Sequence, residues 1–289
     1  MSVKKWLLKN THSLRGKTVA VSGSTGGLGR QLCLHLAALG ADLLLLDRSS
    51  ERAGEVKQIL EGKYPDVKVS YIRLDLSDME CVKSVTQMLI DNIPDVLILN
   101  AGIYHVPRYK CESGFDNVFQ VNFIAPYYMA RTLKPYMQKR GGKIIAVGSI
   151  AHNYSKIDLS DIDFSLRKKS SKVYGNSKRF LMYSLFGLYS GEDGLAVVHP
   201  GITYTNITSH YPKVIFALIK HPMKVIFMPP RVASLSIIKG IFTDCHGCEW
   251  IGPCVFDIWG NPKKKKLRTA SDGEYKSICE AADNIFRTL

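Results

Sequence analysis

Six short apolar runs, each separated from the next by a segment of helical spacing or a glycine-rich turn, constrain this chain more than any other feature. They cover residues 18–22, 42–47, 67–74, 96–99, 143–147 and 195–199, and each is rich in Val, Ile or Leu without polar alternation. A strand apolar on both faces must be covered on both, which predicts a parallel sheet between helical layers. The segments 28–39, 51–61, 77–92, 115–140 and 173–189 carry the helical periodicity, the first closed by Gly40. No internal repeat or linker divides the 289 residues, so they read as one α/β domain, a doubly wound parallel sheet with right-handed crossovers.

After His199 the alternation breaks. Pro200, Gly201 and an aromatic, lysine-dotted stretch with Pro212, Pro222, Pro229 and Pro230 predict a small helical lid over about residues 203–230. A helix near 232–242, a last strand near 255–258 and a basic tail from 261, helical from Gly273, complete the expected order.

Composition acts here by exclusion. With 46% hydrophobic residues the chain can bury a sizeable core, so disorder and a disulfide scaffold are excluded. The net charge of +14 favours anionic partners without choosing among them. The stretch before Lys17 offers only Trp6, Leu7 and Leu8 as an apolar run, too short for a secretory signal. The greasiest segment, 214–228, is interrupted by Lys220, His221 and Lys224, so no membrane-spanning helix is expected. Seven scattered cysteines then predict reduced thiols in a cytoplasmic protein. Cys245 and Cys248 form a single CxxC, where zinc sites usually need two, and no metal is expected. No nucleic-acid motif competes with the α/β pattern. The apolar residues between 214 and 227, interleaved with Lys213, Lys220 and Lys224, fit either a lid resting on a membrane or one facing a substrate pocket.

The first run leads through Ser22, Gly23, Ser24, Thr25, Gly26, Gly27, Leu28 and Gly29 directly into a helix. Glycines let backbone approach a pyrophosphate, and the helix N-terminus offers unpaired N–H groups and a partial positive charge. Gly23, Thr25, Gly27 and Leu28 are therefore candidate dinucleotide contacts. Asp47, ending the second run, is placed to accept hydrogen bonds from the adenosine ribose.

The GxxxGxG spacing, followed in order by Asn100-Ala101-Gly102, Asn122, Ser149, the YxxxK of Tyr174 and Lys178, and Pro200-Gly201, resembles the short-chain dehydrogenase/reductase family. The resemblance implies a Rossmann-type fold and an NAD(P)-dependent enzyme moving a hydride between nicotinamide and an alcohol or carbonyl. It implies that Tyr174 transfers the proton and that Ser149 hydrogen-bonds the substrate oxygen. Lys178 would support the phenolate and hold the nicotinamide ribose, and Asn122 would position a relay water. On the helix Tyr174 and Lys178 share a face, so an ammonium is expected to lower the phenol's pKa. Asn100, Ala101, Gly102, Pro200, Gly201, Thr203 and Thr205 would line the cofactor, while Asp75 with Leu76 would cap the adenine edge. Asp75 equally fits an N-cap of the helix from Ser77.

Between Ser149 and Tyr174 lie 24 residues, about twice the family's usual interval, and the extra piece resembles the retinol dehydrogenase-like members. The stretch Pro200 to Thr205 resembles hydroxysteroid dehydrogenases instead; both imply a lipophilic, steroid- or retinoid-like substrate. Members commonly pair through the helices at 115–140 and 173–189, so a homodimer or homotetramer is expected. Asp47 favours NAD, while Arg48 leaves NADP as the alternative. A non-catalytic dinucleotide-binding scaffold of the same fold is the competing reading.

Overall fold

The computed structural model describes residues 2–203, 227–267 and 271–289. Eight strands form one sheet in the order β3-β2-β1-β4-β5-β6-β7-β8. They are β1 Thr18–Ser22, β2 Asp42–Asp47, β3 Val69–Arg73, β4 Val96–Leu99, β5 Lys143–Val147, β6 Leu195–Val198, β7 Glu249–Val255 and β8 Trp259–Lys266. All pair in parallel except β7 and β8, which form an antiparallel hairpin. Strands β4 and β6 are buried at every position, as their unbroken apolar runs require.

The helices are α1 Val3–Asn10, α2 Gly27–Ala38, α3 Ser50–Lys63, α4 Met79–Asp91, α5 Asn117–Phe119, α6 Ala125–Lys139, α7 Ser170–Leu188, α8 Pro230–Ile241 and α9 Asp272–Thr288. They cover both faces of the sheet: α1, α2, α3 and α8 contribute to one hydrophobic cluster, and α4, α6, α7 and α9 to the other. The chain order reverses between β1 and β4, which opens a crevice at the carboxyl ends of these strands.

Several expectations are corrected. The helix expected over 115–140 is instead α5, a π-turn at Gln120–Ile124 and α6, so the chain bulges at Asn122. Of the strand expected at 255–258 only Val255, the end of β7, is strand; 256–258 form a turn, with Phe256 and Asp257 at φ +50° and +58°, and β8 follows it. The lysines of the expected basic tail from 261 lie instead in β8 at the sheet margin, where Lys264 meets Glu249 at 3.0 Å and Lys265 pairs with Asp257. The N-terminal stretch forms α1, anchored by buried Trp6. Asp78 rather than Asp75 caps α4.

The expected pairing of copies through α6 and α7 meets α9 of the same chain. Ile278, Ala282 and Ile285 join the cluster beside α6 and α7. Arg131 pairs with Asp283, and Tyr127 donates to the same carboxylate at 3.1 Å. A Cβ at Gly187 would stand 2.4 Å from Cys279 Sγ, so the bare glycine lets α9 lie directly on α7. From Gly175 to Phe186 every residue of α7 is buried. That surround lies within one chain.

Most of the expected lid lies outside the described residues. Its roots are described: Thr203 bridges Met228 in parallel, and Met228 N–H donates to the Ile202 carbonyl at 2.8 Å. No helix among the described residues is long and apolar enough to cross a membrane.

Candidate active site

The carboxyl end of β1 shapes the first wall of the site. Gly23 turns the chain at φ +65°, where a Cβ would come within 2.8 Å of the Ala101 backbone. Asn100 stitches this turn from the end of β4, its Nδ2 donating to the Ser22 and Gly23 carbonyls at 2.9 and 3.1 Å. Ser22 Oγ in turn accepts from Asn100 and Ala101 N–H, both at 3.0 Å. Asn100 therefore shapes the turn with its side chain. The N-cap of α2 is Gly26, with no side-chain hydrogen bond, which leaves the first amides of α2 open to a ligand.

At the end of β2, Asp47 is buried and its carboxylate already engaged. Oδ2 accepts from Thr25 N–H and Oγ at 3.0 and 2.9 Å, and Oδ1 from Arg48 N–H at 2.9 Å. Thr25 thus directs its hydroxyl to Asp47, and the acid holds the glycine turn as well as facing the cavity. Asp75 closes a local turn by accepting from Ser77 N–H and Oγ at 3.0 and 2.6 Å.

These walls enclose a cavity of about 850 Å³. It is lined by Gly23, Thr25, Gly27, Leu28, Asp47, Arg48, Asp75, Leu76, Asn100, Ala101, Gly102, Ser149, Tyr174, Lys178, Pro200, Gly201 and Thr203. Thr205 lies outside the described residues. Asn122 stands one layer behind the wall, fully buried in the π-turn: Oδ1 accepts from Ile103 N–H at 2.8 Å, and Nδ2 donates to the Ile103 carbonyl and Ser177 Oγ at 2.9 and 3.1 Å. A Cβ at Gly102 would lie 3.1 Å from Asn122 Oδ1 and 3.5 Å from Lys178 Nζ, so Gly102 keeps these groups adjacent.

Ser149 follows β5 and begins a 3₁₀ turn at Ile150–Asn153, its Oγ accepting from Ala151 N–H at 3.1 Å. Tyr174, on α7, hydrogen-bonds with Ser149, and burial pushes its phenol up to about 12 despite that bond. Lys178 is buried, donates to the Val147 carbonyl at 2.8 Å and is pushed down to about 8 by burial. Its Nζ stands 5.9 Å from the Tyr174 ring centroid. The expected lowering of the phenol by its lysine neighbour is therefore not found: burial raises it, and the ammonium turns toward a carbonyl.

The aromatic end of the cavity has residues that no motif announced. Tyr104 meets Tyr174 edge-on at 5.1 Å between centroids, and Tyr154, Val106, Ile150 and Phe227 line the same end. His199 stacks on Trp250 at 5.6 Å, and burial lowers its imidazole to about 4. Its place directly before Pro200-Gly201 was the available signal.

The family model described as short chain dehydrogenase matches residues 17–160. A Streptomyces sp. (strain C5) protein, DnrU, named for daunorubicin C-13 ketoreductase activity, is 32% identical over 202 residues, covering 67% of this chain and 68% of that one. Mouse retinol dehydrogenase 14 is 31% identical over 214 residues, covering 68% and 64%. This chain thus spans about two thirds of these relatives' lengths. Among solved structures, the short-chain dehydrogenase from Sphingobium yanoikuyae in complex with NADPH covers 94% of this chain and 96% of its own, with a TM-score of 0.60 at 18% identity, a likeness of fold. On these matches the chain belongs to the short-chain dehydrogenase family and is an NAD(P)-dependent oxidoreductase.

Proposed function

We propose that this enzyme, one catalytic domain throughout, transfers a hydride between NAD(H) and a lipophilic secondary alcohol or ketone. The observation that carries the reading is the convergence of Ser149, Tyr174 and Lys178 on an aromatic end of the cavity whose other end is a glycine turn and an uncapped helix. Relatives named for retinol and for a C-13 ketone of daunorubicin support a bulky organic substrate.

The residues present fit a dinucleotide. Gly23 and Gly29 leave no room for a Cβ, and the open amides of α2 suit a pyrophosphate. When bound, the nicotinamide supplies or accepts the hydride and, when oxidised, a positive charge. Tyr174, protonated at neutral pH, donates its proton to the carbonyl oxygen during reduction, and Ser149 hydrogen-bonds that oxygen. Lys178, still mostly an ammonium at pH 7, holds the nicotinamide ribose and stabilises the phenolate that remains. Asn122 fixes the Ile103 backbone and orders the space beside Lys178 for a relay water.

The test is loss of NADH absorbance with steroid, retinoid and simple aryl ketones. Turnover with NADH exceeding that with NADPH is expected; no turnover with any carbonyl, despite tight dinucleotide binding, would favour the scaffold reading.

Cofactor choice rests on Asp47, whose carboxylate accepts from a ribose hydroxyl and repels a 2′-phosphate. Because the same carboxylate secures Thr25, Asp47→Ala is expected to weaken NADH by about tenfold or more, the scale of a charged hydrogen bond. NADPH should lose less, since repulsion is relieved as the turn loosens. Fluorescence titration of both cofactors measures this, and a parent that binds NADPH more tightly would overturn the assignment.

A further inference from the structure

One buried ion pair beside the site has no part in the chemistry above. Arg179 directly follows Lys178 on α7, and its side chain and that of Glu274 are only 8% and 14% exposed. The guanidinium meets Glu274 with both arms of its fork, Nε to Oε1 at 2.8 Å and Nη2 to Oε2 at 2.7 Å. Its third nitrogen, Nη1, donates to the His152 carbonyl at 2.9 Å. Glu274 lies in the first turn of α9, and its Oε1 also accepts from Ile157 N–H at 3.2 Å.

These contacts converge on the 3₁₀ turn that begins at Ser149. The His152 carbonyl is held by Arg179, and the His152 ring nitrogen Nδ1 lies 2.6 Å from the Ser149 carbonyl. The backbone on the far side of the turn is held through Ile157. A buried ion pair contributes little stability compared with apolar residues of equal volume, because desolvation consumes most of its attraction. What a bidentate fork does supply is a fixed direction. Here that direction sets the turn carrying the serine against Tyr174.

We propose that Arg179 and Glu274 are positioning residues for Ser149, with α9 the brace that holds the serine's turn in register with the tyrosine on α7. The proposal rests on the acid–base reading given above. A serine hydroxyl displaced by an ångström no longer meets the substrate oxygen and the phenol together, and errors of that size cost up to about a hundredfold in rate.

The test compares the intact protein with Glu274→Gln, with the paired change Arg179→Met and Glu274→Met, and with Tyr174→Phe. In NADH-bound Glu274→Gln, amide exchange at residues 150–153 is expected to rise about tenfold while α7 and NADH affinity stay as in the parent. Reduction of 9,10-phenanthrenequinone, used as the carbonyl probe, is expected to lose about tenfold in kcat with little change in KM. The pH limb for oxidation of 1-phenylethanol should move upward, because a misplaced Ser149 no longer supports the phenolate. The double Met variant, with apolar side chains in place of the pair, should melt near the parent and keep the fast exchange at 150–153. Unchanged exchange there in both variants would overturn the proposal. So would a normal kcat and pH limb in Glu274→Gln, or defects that vanish once the Met pair restores the melting temperature. Turnover retained by Tyr174→Phe would instead remove the acid–base reading, and the exchange measurement would still decide whether the pair holds the turn.

Discussion

Tyr174→Phe is expected to lower turnover by about three orders of magnitude while leaving dinucleotide affinity within a few-fold of the parent. A positioned general acid contributes roughly 10²–10⁴-fold, and this one is also the group that Ser149 orients. Phenylalanine keeps the edge-on contact with Tyr104, so the packing of α7 survives the change. Steady-state reduction of a carbonyl by NADH, with NADH fluorescence titration alongside, separates the two effects. Activity within a few-fold of the parent would sink the assignment of the phenol, and a parallel collapse of NADH binding would mean that the hydroxyl, through its bond with Ser149, holds the cofactor cavity in shape instead.

Gly29→Ala should abolish dinucleotide binding, lowering affinity by more than about a hundredfold. A Cβ at this position would lie 2.1 Å from the Gly23 carbonyl oxygen and 3.0 Å from Ser24 Cα, both backbone atoms that cannot swing aside. Either α2 moves away from β1 or the turn opens, and both separate the helix amides from the bend that Gly23 makes. Forcing a methyl group into such a space costs about 1–3 kcal/mol of stability, which melting should show as a modest loss. Gly26→Ala is the control, because its Cβ would meet only the Gly23 oxygen at an ordinary 3.6 Å. Parent-like NADH binding by Gly29→Ala would show that the turn is not where the pyrophosphate lies.

Local patterns carried much of this in the sequence. The unbroken apolar runs of β1, β4, β5 and β6 state that both sheet faces are covered, and the glycine turn states where the first strand meets its helix. The π-turn is not legible, because helical periodicity continues through Gln120–Ile124 and the bulge goes with a tertiary contact, Asn122 to the Ile103 backbone. The hairpin is hidden for a similar reason. Pro262 and four successive lysines look like a solvated tail, and only a place at the margin of a sheet tolerates them as a strand. Arg179 and Glu274, 95 residues apart, carried no signal at all. The direction of the Tyr174 shift is absent from the sequence because spacing on a helix reveals a neighbouring charge but not the burial of both groups.

The lysine strand bears on how this protein behaves at high concentration. Among the described residues β8 has a neighbour on one side only, so its other side is a row of backbone groups able to template growth from sheet to sheet. Glu249 and Asp257 balance Lys264 and Lys265, which leaves Lys263 and Lys266 to charge the margin. Two such margins approaching each other repel, and Pro262 removes a donor from the ladder they would form. This protection against self-association is electrostatic and works over a range of about 10 Å at 0.1 M salt, shrinking to about 3 Å at 1 M. Raising salt from about 0.1 to 1 M is therefore expected to increase association of the protein through this strand, read as a rise in light scattering that Lys263→Glu with Lys266→Glu would alter.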